Sequence, residues 1–141
     1  MKQFDVKGIL EEKIQPLLDY QQEKLPFSLA LNVEKGEFSV GESVVFTAVL
    51  RNKTTRSLRL QALGENSMYF LYDKRPWGAK EASARGSKGV QTVILRPGES
   101  LQERFVGEAF NFPEDFEIYG EYAVPYNGVK ATSTLKIKVV E

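Results

Sequence analysis

The chain has 141 residues, of which 42% are hydrophobic and 27% charged, with nine Phe and six Tyr; this is the size and composition of one folded domain with a proper core, not of a disordered segment. Lys plus Arg balances Asp plus Glu at 19 each, so no global field draws the molecule to nucleic acid or to an anionic membrane. The absence of His and Cys removes the usual base, the soft metal ligands, the thiol nucleophile and any disulfide staple.

From the N-terminus, MKQFDVKGILEEK has neither an apolar core nor a small-residue cleavage site, so it does not read as an intact secretory signal. If Met1 is the natural start the expected compartment is the cytoplasm; a secreted or periplasmic protein whose signal has been removed is the alternative. No stretch is long enough to span a bilayer as a helix. Ile9, Leu10, Ile14, Leu17 and Leu18 recur at helical spacing. Residues 1–24 therefore form a helical extension, with Asp5 as a candidate cap and a break or a second short helix at Pro16. Its expected role is to cover an open end or edge of the domain, or to dock on a partner or on another copy.

The period changes to two from Leu25, and residues 25–141 read as an all-β domain. Phe27, Leu29, Leu31 and Val33 alternate with polar or small residues, and the turn Glu34-Lys35-Gly36-Glu37 follows. Residues 43–51 are apolar on both faces, as a central strand is, with Val44, Phe46, Ala48 and Leu50 on one side. Strands are next expected at 58–62, 67–73, 90–95 and 100–107, with Pro97-Gly98 forming a type II turn between the last two. Phe112-Pro113-Glu114-Asp115 reads as a connection into a strand at 118–126. Asn127-Gly128 then marks a hairpin that returns through 129–140. Seven or eight short strands with no helix between them predict an immunoglobulin-like β-sandwich.

The chemistry available is that of recognition. Glu114, Asp115 and Glu117 lack the spacing and the bend-forming Gly of a calcium loop. Asn52-Lys53-Thr54 is a glycosylation sequon by sequence alone. No cofactor and no metal site is expected, and the chain does not read as an enzyme. The most distinctive stretch is 73–89, DKRPWGAKEASARGSKG, which is basic while 99–121 is acidic. Lys74, Arg75, Trp77, Lys80, Arg85 and Lys88 are the candidate binding residues. Trp77, the sole tryptophan, stands among them as an interface anchor. The alternative is that Trp77 folds back over the end of the sandwich. One basic loop without a reading helix or a row of stacking aromatics does not predict nucleic-acid binding.

Several runs carry a family resemblance: Val49-Leu50-Arg51-Asn52, Leu58-Arg59-Leu60, Tyr69-Phe70-Leu71-Tyr72-Asp73 with Trp77, Leu95-Arg96-Pro97-Gly98-Glu99-Ser100-Leu101, Pro113, and Tyr119-Gly120-Glu121-Tyr122. In this order they resemble bacterial intracellular proteinase inhibitor domains of the BsuPI type, over about residues 38–125. The resemblance implies an immunoglobulin-like sandwich and inhibition of a serine proteinase by an exposed loop. It carries over no inhibitory residue, because the shared positions are turn and core positions that macroglobulin-type and transglutaminase C-terminal domains share.

The expected function is a non-catalytic protein-binding module, with a proteinase inhibitor as its sharpest form. A structural, assembly or adhesion role, with self-association through the N-terminal helix or an edge strand, is the first alternative. A carbohydrate-binding module using Tyr69, Tyr72, Tyr119, Tyr122 and Tyr126 is the second.

Overall fold

A computed structural model describes residues 16–82 and 91–141. Eleven strand segments appear among them: β1 (Phe27–Val33), β2 (Glu37–Ser39), β3 (Val44–Asn52), β4 (Leu58–Gln61), β5 (Met68–Tyr72), β6 (Arg75–Pro76), β7 (Ala79–Glu81), β8 (Thr92–Leu95), β9 (Ser100–Gly107), β10 (Glu114–Tyr122) and β11 (Thr132–Val140). Each of the eight expected strands is present, and the short β2, β6 and β7 add to them. The four-stranded sheet has the order β1-β3-β9-β7 and the five-stranded sheet the order β2-β11-β10-β5-β6. β4 and β8 pair separately as a two-stranded ribbon.

The period-two pattern explains the layers. Val44, Phe46, Ala48 and Leu50 on central β3 are each at most 1% exposed, and they meet Phe116, Ile118, Leu135, Ile137 and Val139 of the opposing sheet in one core cluster. Leu31 of β1 crosses the interior to Gly120, where a Cβ would come within 2.6 Å of its Cδ1. Two predicted turns close as expected. At Arg96–Glu99 the Glu99 N–H donates to the Arg96 carbonyl at 3.0 Å, with Gly98 at φ 77°. Asn127 and Gly128 both take positive φ, and Tyr126 and Val129 exchange backbone bonds across them.

Three expectations need correction. β10 begins at Glu114, so Glu114, Asp115 and Glu117 are exposed strand positions and not a loop, because Phe116 between them alternates into the core. β10 ends at Tyr122, and 123–131 leaves the ladder before β11 begins. The described helix covers 16–24, but Leu17 and Leu18 are 58% and 46% exposed, so they do not form its buried face. The helix is held instead by polar contacts. The Gln22 side-chain Nε2 donates to the Lys130 carbonyl at 2.7 Å, and its Oε1 accepts from the Thr132 N–H at 3.0 Å. Lys53 Nζ reaches the carbonyls of Gln22 and Glu23, a cation at the helix C-terminus. These contacts place the C-terminal turn of the helix against the start of β11. Residues 1–15, with Asp5, Ile9, Leu10 and Ile14, lie outside the described residues.

Tyr122 ties the ribbon to the sandwich. It is fully buried, its ring meets Phe27 edge-on at 5.6 Å, and its hydroxyl donates to the Gln61 carbonyl at 2.6 Å. Burial pushes its phenol pKa up to about 12. Below about pH 10 both the folded and the unfolded phenol keep the proton; above it the unfolded chain ionises first, so stability falls as pH rises toward 12, by about 1.4 kcal/mol per unit from this group. Tyr122→Phe is expected to cost about 1 kcal/mol at neutral pH, for one lost buried hydrogen bond. That deficit should close near about pH 11 and reverse toward pH 12, as read by urea denaturation at a series of pH values. A deficit that stays constant to pH 12 would contradict this role for the phenol.

Candidate functional site

The candidate segment begins as a tight hairpin. β5 and β6 pair through Leu71↔Pro76 and Tyr72↔Arg75, leaving Asp73 and Lys74 as the two turn residues at φ 49° and 63°. Both central residues at positive φ are what a type I′ hairpin needs, and the residue usually found second is Gly. A lysine there holds a conformation that disfavours a Cβ. Below the turn, Tyr72 packs edge-on against Phe110 and Phe116, each at 5.2 Å. Burial raises its pKa, with the charges of Glu114 and Asp73 adding to the shift.

Beyond Pro76 the chain turns into the core. The Trp77 N–H donates to the Phe70 carbonyl at 3.0 Å, and its indole is only 6% exposed. The indole stacks on Phe110 at 6.0 Å and 9°, meets Phe70 edge-on at 6.4 Å, and lies 5.7 Å from Phe46. It occupies the space over Gly107, where a Cβ would lie 1.8 Å from the indole Cη2. The Glu108 N–H then donates to the Gly78 carbonyl at 2.8 Å, and β7 pairs with β9 from Ala79↔Gly107 to Glu81↔Phe105. A reciprocal clasp closes the segment. The Glu65 N–H donates to Glu81 Oε1 at 2.9 Å, and the Glu81 N–H to Glu65 Oε1 at 3.1 Å.

This geometry corrects two expectations. Within the basic loop expected at 73–89, Arg75–Pro76 and Ala79–Glu81 are strand segments, and Trp77 is not a surface anchor, because the gap over Gly107 and the ring cluster behind it offer the indole a buried seat. The alternative of Trp77 folding back is the one observed. Lys74, Arg75 and Lys80 are exposed. The structure brings Lys74 and Arg75 together at the hairpin tip on the edge of the five-stranded sheet, whereas Lys80 lies on β7 of the four-stranded sheet. Arg85 and Lys88 lie outside the described residues.

The five tyrosines do not form one platform. Tyr122 is in the core, Tyr72 joins the Phe110–Phe116 cluster, and Tyr126 lies edge-on to Phe27 at 6.4 Å. Tyr69 is 46% exposed on β5. Tyr119 lines a cleft of about 510 Å³ between the helix and the β10–β11 face, and burial, then Glu121, raises its pKa. Among the described residues no three acidic groups converge to hold a metal ion, and no helix is long and apolar enough to cross a membrane.

No family model and no curated protein matches the sequence. Solved structures do match in shape. A CARDB domain from Pyrococcus furiosus, solved in complex with di-metal ions, superposes with a TM-score of 0.52 at 12% identity over 81% of this chain and 92% of that one. The fold is immunoglobulin-like. The sporulation control protein Spo0M of Bacillus subtilis gives a TM-score of 0.53 at 13% identity, covering 83% of this chain and 50% of that one. Escherichia coli alpha-2-macroglobulin gives 0.50 at 20% identity, covering 81% of this chain but 9% of that one. At such identities the likeness is one of fold, and it is compatible with a non-catalytic module.

Sequence reasoning missed the roles of Asn52, Ser67 and the Glu65–Glu81 clasp. Ser67 is fully buried, donating from its hydroxyl to the Ala62 carbonyl at 2.6 Å and accepting from the Gly64 N–H at 3.0 Å. Gly64-Glu65-Asn66-Ser67 carries the composition of a turn, but which of its polar side chains is buried is fixed by the packing around it.

Proposed function

We propose that this chain is a non-catalytic protein-binding module that presents the Lys74–Arg75 hairpin tip to an acidic surface of a partner protein. The observation that carries the reading is Lys74 at φ 63°, a lysine where a glycine would relieve the turn. Backbone strain at an exposed tip is the kind of cost retained where a side chain serves recognition. The tip is also preorganised, since Trp77 fixes its returning arm in the core, and a fixed loop loses less entropy on binding. A serine proteinase is one class of partner for such a loop, as the BsuPI resemblance implies.

Lys74→Gly is expected to raise stability by about 1 kcal/mol while weakening partner capture. Urea denaturation reads the first effect; affinity capture from a lysate with wild type, Lys74→Gly and Arg75→Ala reads the second. Partners retained equally by all three chains would refute the tip as the recognition site. For the inhibitor form, stoichiometric inhibition of a subtilisin-class proteinase that Arg75→Ala abolishes is the supporting outcome. Cleavage of the chain with no inhibition at stoichiometric ratio removes it.

A further inference from the structure

Three of the terminal strands of the two sheets are short or blocked. β6 has two residues, one of them Pro76; β7 has three and carries Lys80; β2 has three and carries Glu37. The edge of β11 at Lys130 and Thr132 is occupied by the Gln22 amide. The fourth terminal strand, β1, is different. It runs seven residues as FSLALNV, with no charge, no Pro and no Gly. Such devices keep sheet edges from pairing with other chains, and β1 lacks all of them.

The register shows what that edge offers. The Lys53 N–H donates to the Pro26 carbonyl at 2.9 Å, and Phe27 stands opposite Asn52. Antiparallel alternation then turns the backbone groups of Ser28, Ala30 and Asn32 toward β3, and those of Phe27, Leu29, Leu31 and Val33 away from it. Among the described residues β3 is the one strand hydrogen-bonded to β1, β11 of the opposing sheet packs alongside it, and these outward groups have no backbone partner. On the outer face, Ser28 is half-buried and Ala30 and Asn32 are exposed, all small and uncharged.

We infer that β1 pairs antiparallel with β1 of a second copy of this chain, about a two-fold axis at Ala30. The strand is self-complementary there. The axis places Leu29 opposite Leu31 of the second copy, Phe27 opposite Val33, and Ser28 opposite Asn32, so each outward hydrogen-bonding residue meets another of the same set. No like charges face each other, the four-stranded sheets of the two copies join as one, and an isologous interface of this kind closes as a dimer. The inference does not depend on the Lys74–Arg75 tip, which lies on the other sheet.

Ala30 is exposed and lies on the axis, which makes it the test position. Light scattering behind size exclusion should give wild type twice the mass of one chain. Ala30→Lys and Ala30→Glu, each alone, should give the mass of one chain with unchanged far-ultraviolet circular dichroism, since two like charges then face each other. An equimolar mixture of the two variants should return the doubled mass, because opposite charges now meet. Wild type at a single chain's mass at about 1 mM would overturn the inference. So would a doubled mass for Ala30→Lys alone, or a mixture that stays at one chain's mass.

Discussion

Replacing Trp77 by alanine is expected to lower stability by about 3–5 kcal/mol, a large part of what holds a domain of this size. The indole sits over Gly107, against Phe46, Phe70 and Phe110, at 6% exposure, and no neighbouring side chain can fill its volume without leaving its own packing. Its loss also frees the returning arm of the Lys74–Arg75 hairpin. Trp77→Phe should cost far less, since a ring remains and the indole Nε1 is buried without a hydrogen-bond partner that the change would forfeit. Urea denaturation followed by circular dichroism measures both, because the alanine variant loses the only tryptophan fluorophore. A loss under about 1 kcal/mol for the alanine variant would mean that the indole is not part of the core. The experiment also separates two roles: if capture of a partner fails for Trp77→Ala but survives in Trp77→Phe, Trp77 acts by holding the tip and not by touching the partner.

The β architecture was legible because its signals are local. β3 announces itself by four apolar residues at period two, and Pro97-Gly98 and Asn127-Gly128 specify turns that the backbone adopts at positive φ. The short β6 and β7 were not legible, since two or three residues carry no period and their pairing depends on β5 and β9. Trp77 misled for the same reason: Lys74, Arg75 and Gly78 around it have the composition of a surface loop. Its buried seat is created by Gly107, thirty positions further along the chain. Of the candidate site, the exposure of Lys74, Arg75 and Lys80 could be read from their charge. Their division between two sheets could not, because it follows from which edge each short strand joins. Leu17 and Leu18 fit a helical spacing, yet what anchors the helix is the Gln22 amide on the edge of β11, a contact that hydrophobic periodicity does not encode.

Asn52→Ala is expected to cost about 2–4 kcal/mol, although the sequence around it reads as a glycosylation sequon on a surface turn. Asn52 is 0% exposed and its side chain uses its full capacity. Nδ2 donates to the carbonyls of Arg56 at 2.8 Å and Leu95 at 3.0 Å, while Oδ1 accepts from the Thr54 N–H at 2.8 Å and the Thr54 hydroxyl at 2.7 Å. Its backbone continues the network: its N–H donates to the Glu99 carbonyl at 3.0 Å and its own carbonyl accepts from the Gly98 N–H at 3.1 Å. One residue thus joins the end of β3 to the 53–56 turn, the end of β8 and the Pro97-Gly98 turn, and so fastens the β4–β8 ribbon to the sandwich. Alanine would break all four side-chain bonds at once in a site closed to water. Asn52→Asp should be worse at neutral pH, because a carboxylate oxygen would face two carbonyl oxygens in place of the donor. Burial beside those carbonyls raises the introduced carboxyl above its unfolded value of about 3.9, so stability should be greatest below that pH and fall as pH rises through the folded pKa. Chemical denaturation at pH 3.5 and 7 distinguishes the variants: the aspartate chain gains on the alanine chain in acid. Equal stability of Asn52→Asp and wild type at neutral pH would show that the amide nitrogen donates no bond that the fold requires. The same burial removes Nδ2 as a glycan acceptor in the folded chain, since the nitrogen that would be modified is already spent on Arg56 and Leu95.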